Sequence, residues 1–353
     1  MRNDFVMPLI RWYEQEHRCD MPWRQNPTPY RVWVSEIMLQ QTRIDAAIDH
    51  FLRFCDRLPN VAALATVSDD ELMKLWEGLG YYSRARNLKK AAGIVMEQYG
   101  GELPRHYEQL LALPGVGEYT AGAIASIAYG LPVPAVDGNV MRVLARLTDC
   151  HEDVMQPTLR KQFRTELEGI MPKQAGSFNQ GLMELGERVC LPNTAPRCDV
   201  CPIAEYCESY TCGTQNELPV RVVKTKRRTE HKTVLVLRAE HNGERLVLLH
   251  KRAANGLLAG LWELPNLDGV HSADTLPPAL AVGKAVAALP TGKHIFSHIE
   301  WKLSGLLIDV PYGAPPTDYI WANADGLRNT YALPTAFQTY SKLLPNLLSE
   351  GDV

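Results

Sequence analysis

The chain has 353 residues, of which 46% are hydrophobic and 22% charged, the composition of a globular protein long enough for two or three domains. Its net charge of −3 excludes nucleic-acid binding through bulk charge, so any such binding must come from local patches. No stretch of the sequence is apolar enough to cross a membrane, and acidic Asp4 and Glu14 argue against a secretion signal.

The chain up to about residue 212 has the patterns of α-helices. Ser68 precedes Glu71 by three residues ahead of an apolar run, which predicts a capped helix start. Apolar residues also recur at helical spacing in two further stretches, 44–52 and 140–147. We therefore expect an all-α region here.

A β-rich region is predicted from about residue 233. Asn242-Gly243 lies between two β-rich runs and predicts a hairpin. Residues 298–310 have another strand pattern, and residues 334–348 return to helix. The basic segment 213–232 is predicted to be a linker; the simplest interpretation of its charges, and of those in residues 81–90, is a solvated face.

The sequence "LPGVG" (residues 113–117) precedes a helix predicted to begin at about Glu118. Gly115 and Gly117 let the backbone approach a ligand closely, and a helix N-terminus presents unpaired N–H groups. Together these features are typical of a phosphate site. A plain connector between two helices explains the local sequence equally well.

The cysteines are unevenly distributed. One short segment contains Cys190, Cys198, Cys201 and Cys207, and Cys212 follows it. Disulfide frameworks are typical of short secreted chains, so this cluster favours a metal site in a reducing compartment. The Cys-x-x-Cys spacing alone fits zinc as well as an iron–sulfur cluster.

Several motifs, in this order, resemble the helix–hairpin–helix superfamily of DNA glycosylases. They are LPGVG between two helices, "VPAVDGNVMR" (133–142) and the cysteine segment. Within that superfamily, "SEIMLQQTR" (35–43) and "GLGYYSRARN" (78–87) resemble the adenine DNA glycosylases of the MutY type. The resemblance implies a multidomain fold that begins with an all-α helix–hairpin–helix glycosylase region over 1–212. Its six-helix subdomain spans about 22–130, and its iron–sulfur subdomain combines about 1–21 with 131–212.

The resemblance assigns catalysis to Glu36, Asp137, Tyr119 and Asn139. Cleaving an N-glycosidic bond requires protonation of the leaving base and stabilisation of an oxocarbenium-like sugar. Glu36, beside apolar residues of a predicted helix, is the expected acid, because desolvation raises a carboxyl pKa. Asp137 is the expected second carboxylate, held ionised by helix N–H groups. A surface glutamate and a plain N-cap are the alternative interpretations of these two residues.

Tyr119 stands where related endonuclease III-type enzymes carry a lysine. A phenol cannot form the imine through which that lysine leads to strand cleavage. The resemblance therefore implies a monofunctional enzyme, which removes a base and leaves the strand intact.

The target adenine must be flipped out of the duplex. The resemblance places Trp23 and Gln180 at the adenine and Tyr81 beside the opposing base, although its aromatic residues are also typical of core packing. The remaining residues that it assigns to DNA, near the disturbed stack or on the backbone, are Gln41, Thr42, Leu79, Gly115 and Gly117.

The resemblance implies that Cys190, Cys198, Cys201 and Cys207 bind a [4Fe–4S] cluster. Seven residues separate the first two cysteines, where the family usually has six, and this leaves Cys212 as an alternative ligand. The expected role of the cluster is to hold a basic loop against phosphates.

Residues 233–345 resemble the α+β Nudix-like C-terminal domain of the same enzymes, through "GLLAGLWELPN" (256–266) and "FSH" (296–298). Nudix hydrolases bind magnesium through a cluster of glutamates, and the residues after Pro265 contain no such cluster. The resemblance therefore implies recognition of 8-oxoguanine by Ser297, flanked by Phe296 and His298, in a loop leading into a strand.

The resemblance thus implies a monomeric, cytoplasmic glycosylase, nucleoid-associated if bacterial, that removes adenine paired with 8-oxoguanine or guanine in double-stranded DNA. Two other functions stay open. One is a Nudix nucleotide hydrolase with a helical appendage, which the missing glutamates disfavour. The other is a non-catalytic lesion sensor, which Glu36 and Asp137 disfavour.

Overall fold

The computed structural model describes residues 3–222, 227–276 and 283–349, and its contacts divide the chain into two compact units. One unit combines residues 3–66 with 86–222, and the other combines residues 67–85 with the described residues from 227 onward. Segment 67–85, which the sequence placed in the helical region, therefore groups with the C-terminal residues. In the described ranges no helix is both long and apolar enough to cross a membrane.

The chain up to residue 212 forms helices, as predicted. In order they are α1 (Val6–Glu16), α2 (Pro22–Gln25), α3 (Pro29–Leu39), α4 (Ile44–Arg57), α5 (Val61–Thr66), α6 (Asp69–Leu75), α7 (Ser83–Tyr99), α8 (Tyr107–Leu111), α9 (Glu118–Tyr129), α10 (Gly138–Leu147), α11 (Pro157–Glu168), α12 (Ala175–Arg188) and α13 (Glu208–Cys212).

Side chains cap two of the helices that carry predicted catalytic residues, α3 and α10. Thr28 accepts a hydrogen bond from the Arg31 N–H at the start of α3, and Asp137 accepts one of 2.8 Å from the Val140 N–H at the start of α10. Such caps satisfy N–H groups that have no partner within the helix. Local sequence therefore determines where α3, which carries Glu36, and α10 begin.

The turn before α9 requires glycine at Gly115. Its φ is +78°, and a Cβ atom at this position would lie 2.7 Å from the Cβ of Asn87. Backbone conformation and a close neighbour therefore both exclude a side chain. As predicted, α9 begins at Glu118, with Gly117 at its N-cap.

The core of the first unit joins α1 to α10, α11 and α12. Phe5 and Leu9 of α1 are buried in one cluster with Phe178 of α12. Truncating a buried phenylalanine to alanine costs about 3–5 kcal/mol, so this core fixes helices that are distant in sequence. It thereby positions Asp137 and Gln180, which lie on two of those helices.

The second unit contains a seven-stranded mixed sheet. The path through it is β3-β2-β1-β6-β5, with β4 also paired to β1 and β7 to β2. β1 and β6 run parallel, and the other pairs are antiparallel. The strands are β1 (Arg228–His241), β2 (Glu244–Lys251), β3 (Trp262–Glu263), β4 (Asn266–Asp268), β5 (Lys284–Ile295), β6 (Ile299–Asp309) and β7 (Tyr319–Ala322).

Short helices pack against this sheet. They are α14 (Ala324–Asn329), α15 (Gln338–Ser341) and α16 (Leu344–Leu348), and a 3₁₀ turn (Thr335–Phe337) precedes α15. Phe337 and Tyr340 are fully buried beside Trp301 of β6. The helical pattern predicted for residues 334–348 is therefore confirmed, although it is divided into short pieces.

The hairpin predicted at Asn242-Gly243 is confirmed. Both residues have positive φ, of +52° and +78°, and His241 pairs with Glu244. By contrast, the sequence did not predict β5, because Pro290 and Gly292 interrupt its pattern. Its pairing with β6 shifts register between Leu289 and Gly292, and this irregularity accommodates both residues.

The predicted linker 213–232 is too long. β1 begins at Arg228, so residues 228–232 form a strand that pairs with β6. The sequence did not predict this strand because its residues are mostly charged. At the other end, Leu218 accepts a hydrogen bond of 2.9 Å from the Nε of Arg146, and Val220 accepts one from the N–H of Val154. Residues 223–226 lie outside the described residues.

Candidate active site

One cavity of the first unit gathers all the predicted catalytic and adenine-pocket residues. Its volume is about 800 Å³, within the range of ligand pockets in proteins. Helices α2, α3, α9, α10 and α12 contribute to its walls. The predicted residues that line it are Trp23, Glu36, Gln41, Thr42, Gly117, Tyr119, Asp137, Asn139 and Gln180.

Glu36 is the buried acid of this cavity. Only 8% of the residue is exposed. Burial raises the pKa of Glu36 from 4.5 to about 7; the negative charge of Asp137 adds to this, whereas the hydrogen bond from Tyr119 opposes it. The carboxyl group therefore retains a proton in about half of the molecules near neutral pH. The surface position considered in the sequence analysis is wrong, because α3 is buried on nearly all sides.

Asp137 is partly buried at the start of α10 and has several donors. Its Oδ1 accepts from the Val140 N–H at 2.8 Å, and its Oδ2 accepts from the Asn139 side chain at 2.9 Å. Burial nevertheless raises the pKa of Asp137, against these hydrogen bonds and the charge of Arg142. The hydrogen bonds of the cap alone would lower the pKa of Asp137. They are outweighed because burial removes solvent from the carboxylate.

Asn139 is held in one orientation by its neighbours. Its Oδ1 accepts a hydrogen bond of 2.9 Å from Arg142, and this directs its amide N–H₂ towards Asp137. Arg142 in turn donates to the backbone carbonyls of Gly186 and Cys190, at 2.7 and 2.9 Å. A fixed polar chain therefore runs from the cysteine segment to the cavity carboxylate.

The phenol group of Tyr119 is hydrogen-bonded to the acid Glu36. Its hydroxyl donates to Glu36 Oε2 at 2.5 Å and lies 3.3 Å from the sulfur of Met183. Burial, the negative charge of Glu36 and that of Asp137 raise the pKa of Tyr119 well above its usual value. The phenol therefore stays protonated and acts as a donor at this position, where an amine would be a nucleophile.

Sequence reasoning missed an ion pair in the same cavity. Arg24 Nη1 lies 2.7 Å from Glu184 Oε2, and the Glu184 side chain is fully buried. Burial acts to raise the pKa of Glu184, but Arg24 and hydrogen bonds from Arg188 and the Arg18 N–H lower it overall. Glu184 follows Gln180 by four residues on α12, and this spacing is the signal that was available in the sequence.

A smaller cavity adjoins Glu36. Its volume is about 150 Å³, and Trp23, Arg24 and Gln180 line both cavities. Tyr13 and His17 of the α1 region complete its wall, their rings stacked with centroids 4.8 Å apart. Glu36 thus lines two cavities of the first unit.

Two predicted DNA-contacting residues, Leu79 and Tyr81, lie in the second unit. Leu79 is buried, whereas 51% of Tyr81 is exposed and its φ is +46°. Gly78 and Gly80 also have positive φ. This loop therefore has a tightly turned backbone from which the ring of Tyr81 projects.

The four clustered thiols line one small cavity of about 30 Å³. Cys190, Cys198, Cys201 and Cys207 share it with Arg146, whose Nη1 lies 3.2 Å from the sulfur of Cys190. Cys212 is exposed and is not among the residues lining this cavity.

The donor set can be tested against the expected metal. No three His, Cys, Asp or Glu residues within the described ranges are arranged to hold a single metal ion. In a [4Fe–4S] cluster each thiolate binds a different iron atom, so the four ligands are spaced more widely than around one ion. Four thiols around one cavity with mostly apolar walls supply the number and type of ligands that a [4Fe–4S] cluster takes.

Phe296, Ser297 and His298 form the turn between β5 and β6. Ser297 and His298 are exposed, and the Phe296 ring packs edge-on against Trp301 with centroids 4.9 Å apart. The expectation that Ser297 lies in a loop feeding a strand is confirmed.

Comparison with known proteins gives two family matches. A model of the HhH-GPD superfamily of base excision DNA repair proteins matches residues 34–173, and a NUDIX domain model matches residues 233–343. Adenine DNA glycosylase of Mus musculus is 34% identical over 396 residues, which cover 95% of this chain and 76% of that protein. Its counterpart from Buchnera aphidicola subsp. Acyrthosiphon pisum is 35% identical over 310 residues, 87% of each chain.

A solved structure resembles part of this chain. A thermostable thymine-DNA glycosylase superposes with a TM-score of 0.52 at 28% identity, covering 59% of this chain and 95% of that chain. The two adenine DNA glycosylases are similar to this chain over most of both lengths, and the two family models together match most of this chain. The chain belongs to the adenine DNA glycosylase family of base-excision repair enzymes, which remove adenine from DNA by cleaving its N-glycosidic bond.

Proposed function

We propose that this glycosylase removes adenine paired with 8-oxoguanine or guanine in double-stranded DNA, and that it does so without cleaving the strand. The observation that carries the proposal is a buried carboxyl group, Glu36, which retains a proton near neutral pH in a cavity that also contains Asp137. Family membership identifies adenine as the base that is removed. The opposing base and the roles of individual residues are our inference.

Glu36 donates its proton to a ring nitrogen of the extruded adenine. The electron pair of the N-glycosidic bond then moves into the base, which leaves as a neutral molecule. Tyr119 supports this step, because its hydrogen bond to Glu36 Oε2 orients the carboxyl group. General acids of this kind are effective when their pKa lies near the working pH, as it does here.

Asp137 stabilises the positive charge that develops on the sugar, or attacks it to form a covalent intermediate that water opens. Two neighbouring carboxyl groups favour a shared single proton, because both charges together are costly. Asp137 has three hydrogen bonds and the charge of Arg142, whereas Glu36 has one hydrogen bond, from Tyr119, and the charge of Arg24. The negative charge therefore resides on Asp137, and the proton on Glu36.

Trp23 and Gln180 form the adenine pocket in this proposal. Both line the cavity that contains Glu36, and its volume of about 800 Å³ has room for a nucleotide. The ion pair between Arg24 and Glu184, which the sequence did not predict, lies in the wall of the same cavity and offers charged groups to the edge of a purine. Because Tyr119 has no amine, the reaction ends at the abasic site.

The DNA contacts follow the same assignment. Gln41, Thr42 and Leu79 fill the space that the adenine leaves, and Tyr81 wedges beside the opposing base. Gly115 and Gly117 bring backbone N–H groups at the start of α9 to a phosphate. The exposed turn of Phe296, Ser297 and His298 reads the 8-oxoguanine.

Cys190, Cys198, Cys201 and Cys207 are proposed to hold a [4Fe–4S] cluster. A bound cluster would link Cys190, just after the end of α12, to the three later cysteines, and we assign it no step of the reaction. The cysteine segment also meets α10, since Arg146 contacts Cys190 and Leu191.

A duplex assay tests this function. The protein is incubated with a duplex bearing adenine opposite 8-oxoguanine, guanine or thymine, and the products are analysed with and without hot alkali. We expect alkali-dependent strand breaks for the first two duplexes only. Breaks without alkali would contradict the monofunctional assignment, and equal breakage opposite thymine would contradict the mispair specificity.

A further inference from the structure

The segment that carries Tyr81 is anchored to the C-terminal sheet within the second unit. Asp70, on α6, accepts hydrogen bonds of 2.9 and 3.2 Å from Lys251 Nζ and one of 3.1 Å from Trp262 Nε1. Lys251 and Trp262 are paired on β2 and β3, and the ammonium lies 4.9 Å from the centre of the indole ring. One carboxylate therefore binds two neighbouring strands.

A second anchor lies at Glu77, seven residues further along the chain. Glu77 Oε1 accepts a hydrogen bond of 2.8 Å from the backbone N–H of Leu333. Lys74 donates to the Leu327 carbonyl at 2.9 Å and pairs with the other oxygen of Glu77 at 2.6 Å. These bonds attach the end of α6 to α14 and to the residues that follow it.

The loop after these anchors is held from within. Trp76 Nε1 donates to the Gly80 carbonyl at 3.1 Å, and Arg84 donates to the carbonyls of Leu79 and Gly80 at 2.9 and 3.0 Å. The Arg84 guanidinium also lies 5.8 Å from the centre of the Tyr81 ring. A residue other than glycine with positive φ, such as Tyr81, persists only where its surroundings impose it.

We propose that Asp70 and Glu77 are positioning residues for discrimination of the opposing base. They attach the loop that presents Tyr81 to the domain that presents Ser297, so that both probes of the opposing base belong to one compact unit. This inference rests on the proposed function, because it takes Tyr81 and Ser297 as those probes. Neither Asp70 nor Glu77 contacts the DNA in this proposal.

The test is the ratio of single-turnover adenine release opposite 8-oxoguanine to that opposite guanine. Asp70→Ala is expected to lower this ratio about fivefold, the effect of losing a hydrogen-bond acceptor of ordinary strength. Asp70→Asn, which keeps an acceptor for the Trp262 N–H, is expected to recover most of the ratio. An unchanged ratio in Asp70→Ala overturns the proposal.

Asp309→Ala is the matched control. Asp309 is about as exposed as Asp70 and also accepts two hydrogen bonds from one cation, at 2.7 and 3.0 Å from Arg238. It pairs with Arg238 at the end of β6 remote from the Ser297 turn. We expect this variant to keep the wild-type ratio, and an equal fall in both variants overturns the proposal by making the effect a general loss of stability.

Amide hydrogen exchange tests the anchoring without reference to activity. In Asp70→Ala, amide exchange is expected to be faster than in the wild type over residues 69–82 and unchanged over residues 299–309. Unaltered exchange over residues 69–82 would overturn the anchoring. Wild-type protein that releases no adenine opposite either base contradicts the proposed function instead, whereas equal release opposite both bases overturns only the role of Asp70 and Glu77 in discrimination. The two failures are therefore distinguishable.

Discussion

Replacing Glu36 by glutamine is expected to abolish adenine release and to stabilise the protein at alkaline pH. Burial raises the pKa of Glu36 from 4.5 to about 7. A carboxyl group with a pKa of 4.5 is protonated in about 0.3% of molecules at pH 7, and one with a pKa of 7 in about half. Burial therefore enriches the acid form by about two orders of magnitude, and glutamine cannot provide it at any pH.

The same shift makes Glu36 a source of instability. The folded state binds this proton more tightly than the unfolded chain does, so stability decreases as pH rises from about 4.5 through about 7. A rise of the pKa from 4.5 to about 7 corresponds to a loss of about 3 kcal/mol at alkaline pH. Glu36→Gln removes this loss, and therefore stabilises the protein above pH 7 and not below pH 4.5.

Two measurements check this reasoning. Single-turnover release of adenine opposite 8-oxoguanine is expected to fall by at least about a hundredfold in Glu36→Gln, as for other general acids. Its Tm is expected to exceed the wild-type value by several degrees at pH 8.5 and to match it at pH 4.5. Glu97→Gln, on the exposed side of α7, is the control and should change neither quantity.

Either of two results would refute the assignment of Glu36 as the acid. One is a Glu36→Gln variant that retains more than a tenth of the wild-type rate. The other is a gain in Tm of equal size at both pH values, because an effect of packing does not depend on the protonation of this group.

Tyr119→Phe removes the hydrogen bond that lowers the pKa of Glu36, so the alkaline fall in the rate of adenine release should move to higher pH; a pH–rate profile measures it. Gly115→Ala should weaken binding to duplex DNA more than tenfold and lower the Tm, because alanine at φ +78° also clashes with a neighbour; electrophoretic mobility shifts and calorimetry measure the two effects. The Cys190→Ser variant should lose iron and the visible absorbance of the purified protein, whereas Cys212→Ser should keep both. The reverse result would make Cys212 the cluster ligand in place of Cys190.

Much of the architecture was predictable because its signals are local. Ser68, Gly115 and Asn242 each specify a helix start or a turn within a few residues, and the structure has all three. The strand at residues 228–232 and β5 escaped prediction, because charges, Pro290 and Gly292 mask their patterns. Only the pairing of both with β6 makes them strands.

The sequence by itself determined the order of helices, turns and hairpin, and which residue types are available for catalysis. It left open whether Glu36 is a surface carboxylate or an acid, it suggested the wrong direction for the pKa of Asp137, and it did not indicate that Arg24 pairs with Glu184. The tertiary structure decided these three points. Loss of solvent depends on side chains that are distant along the chain, and no local pattern records how many of them surround a carboxyl group.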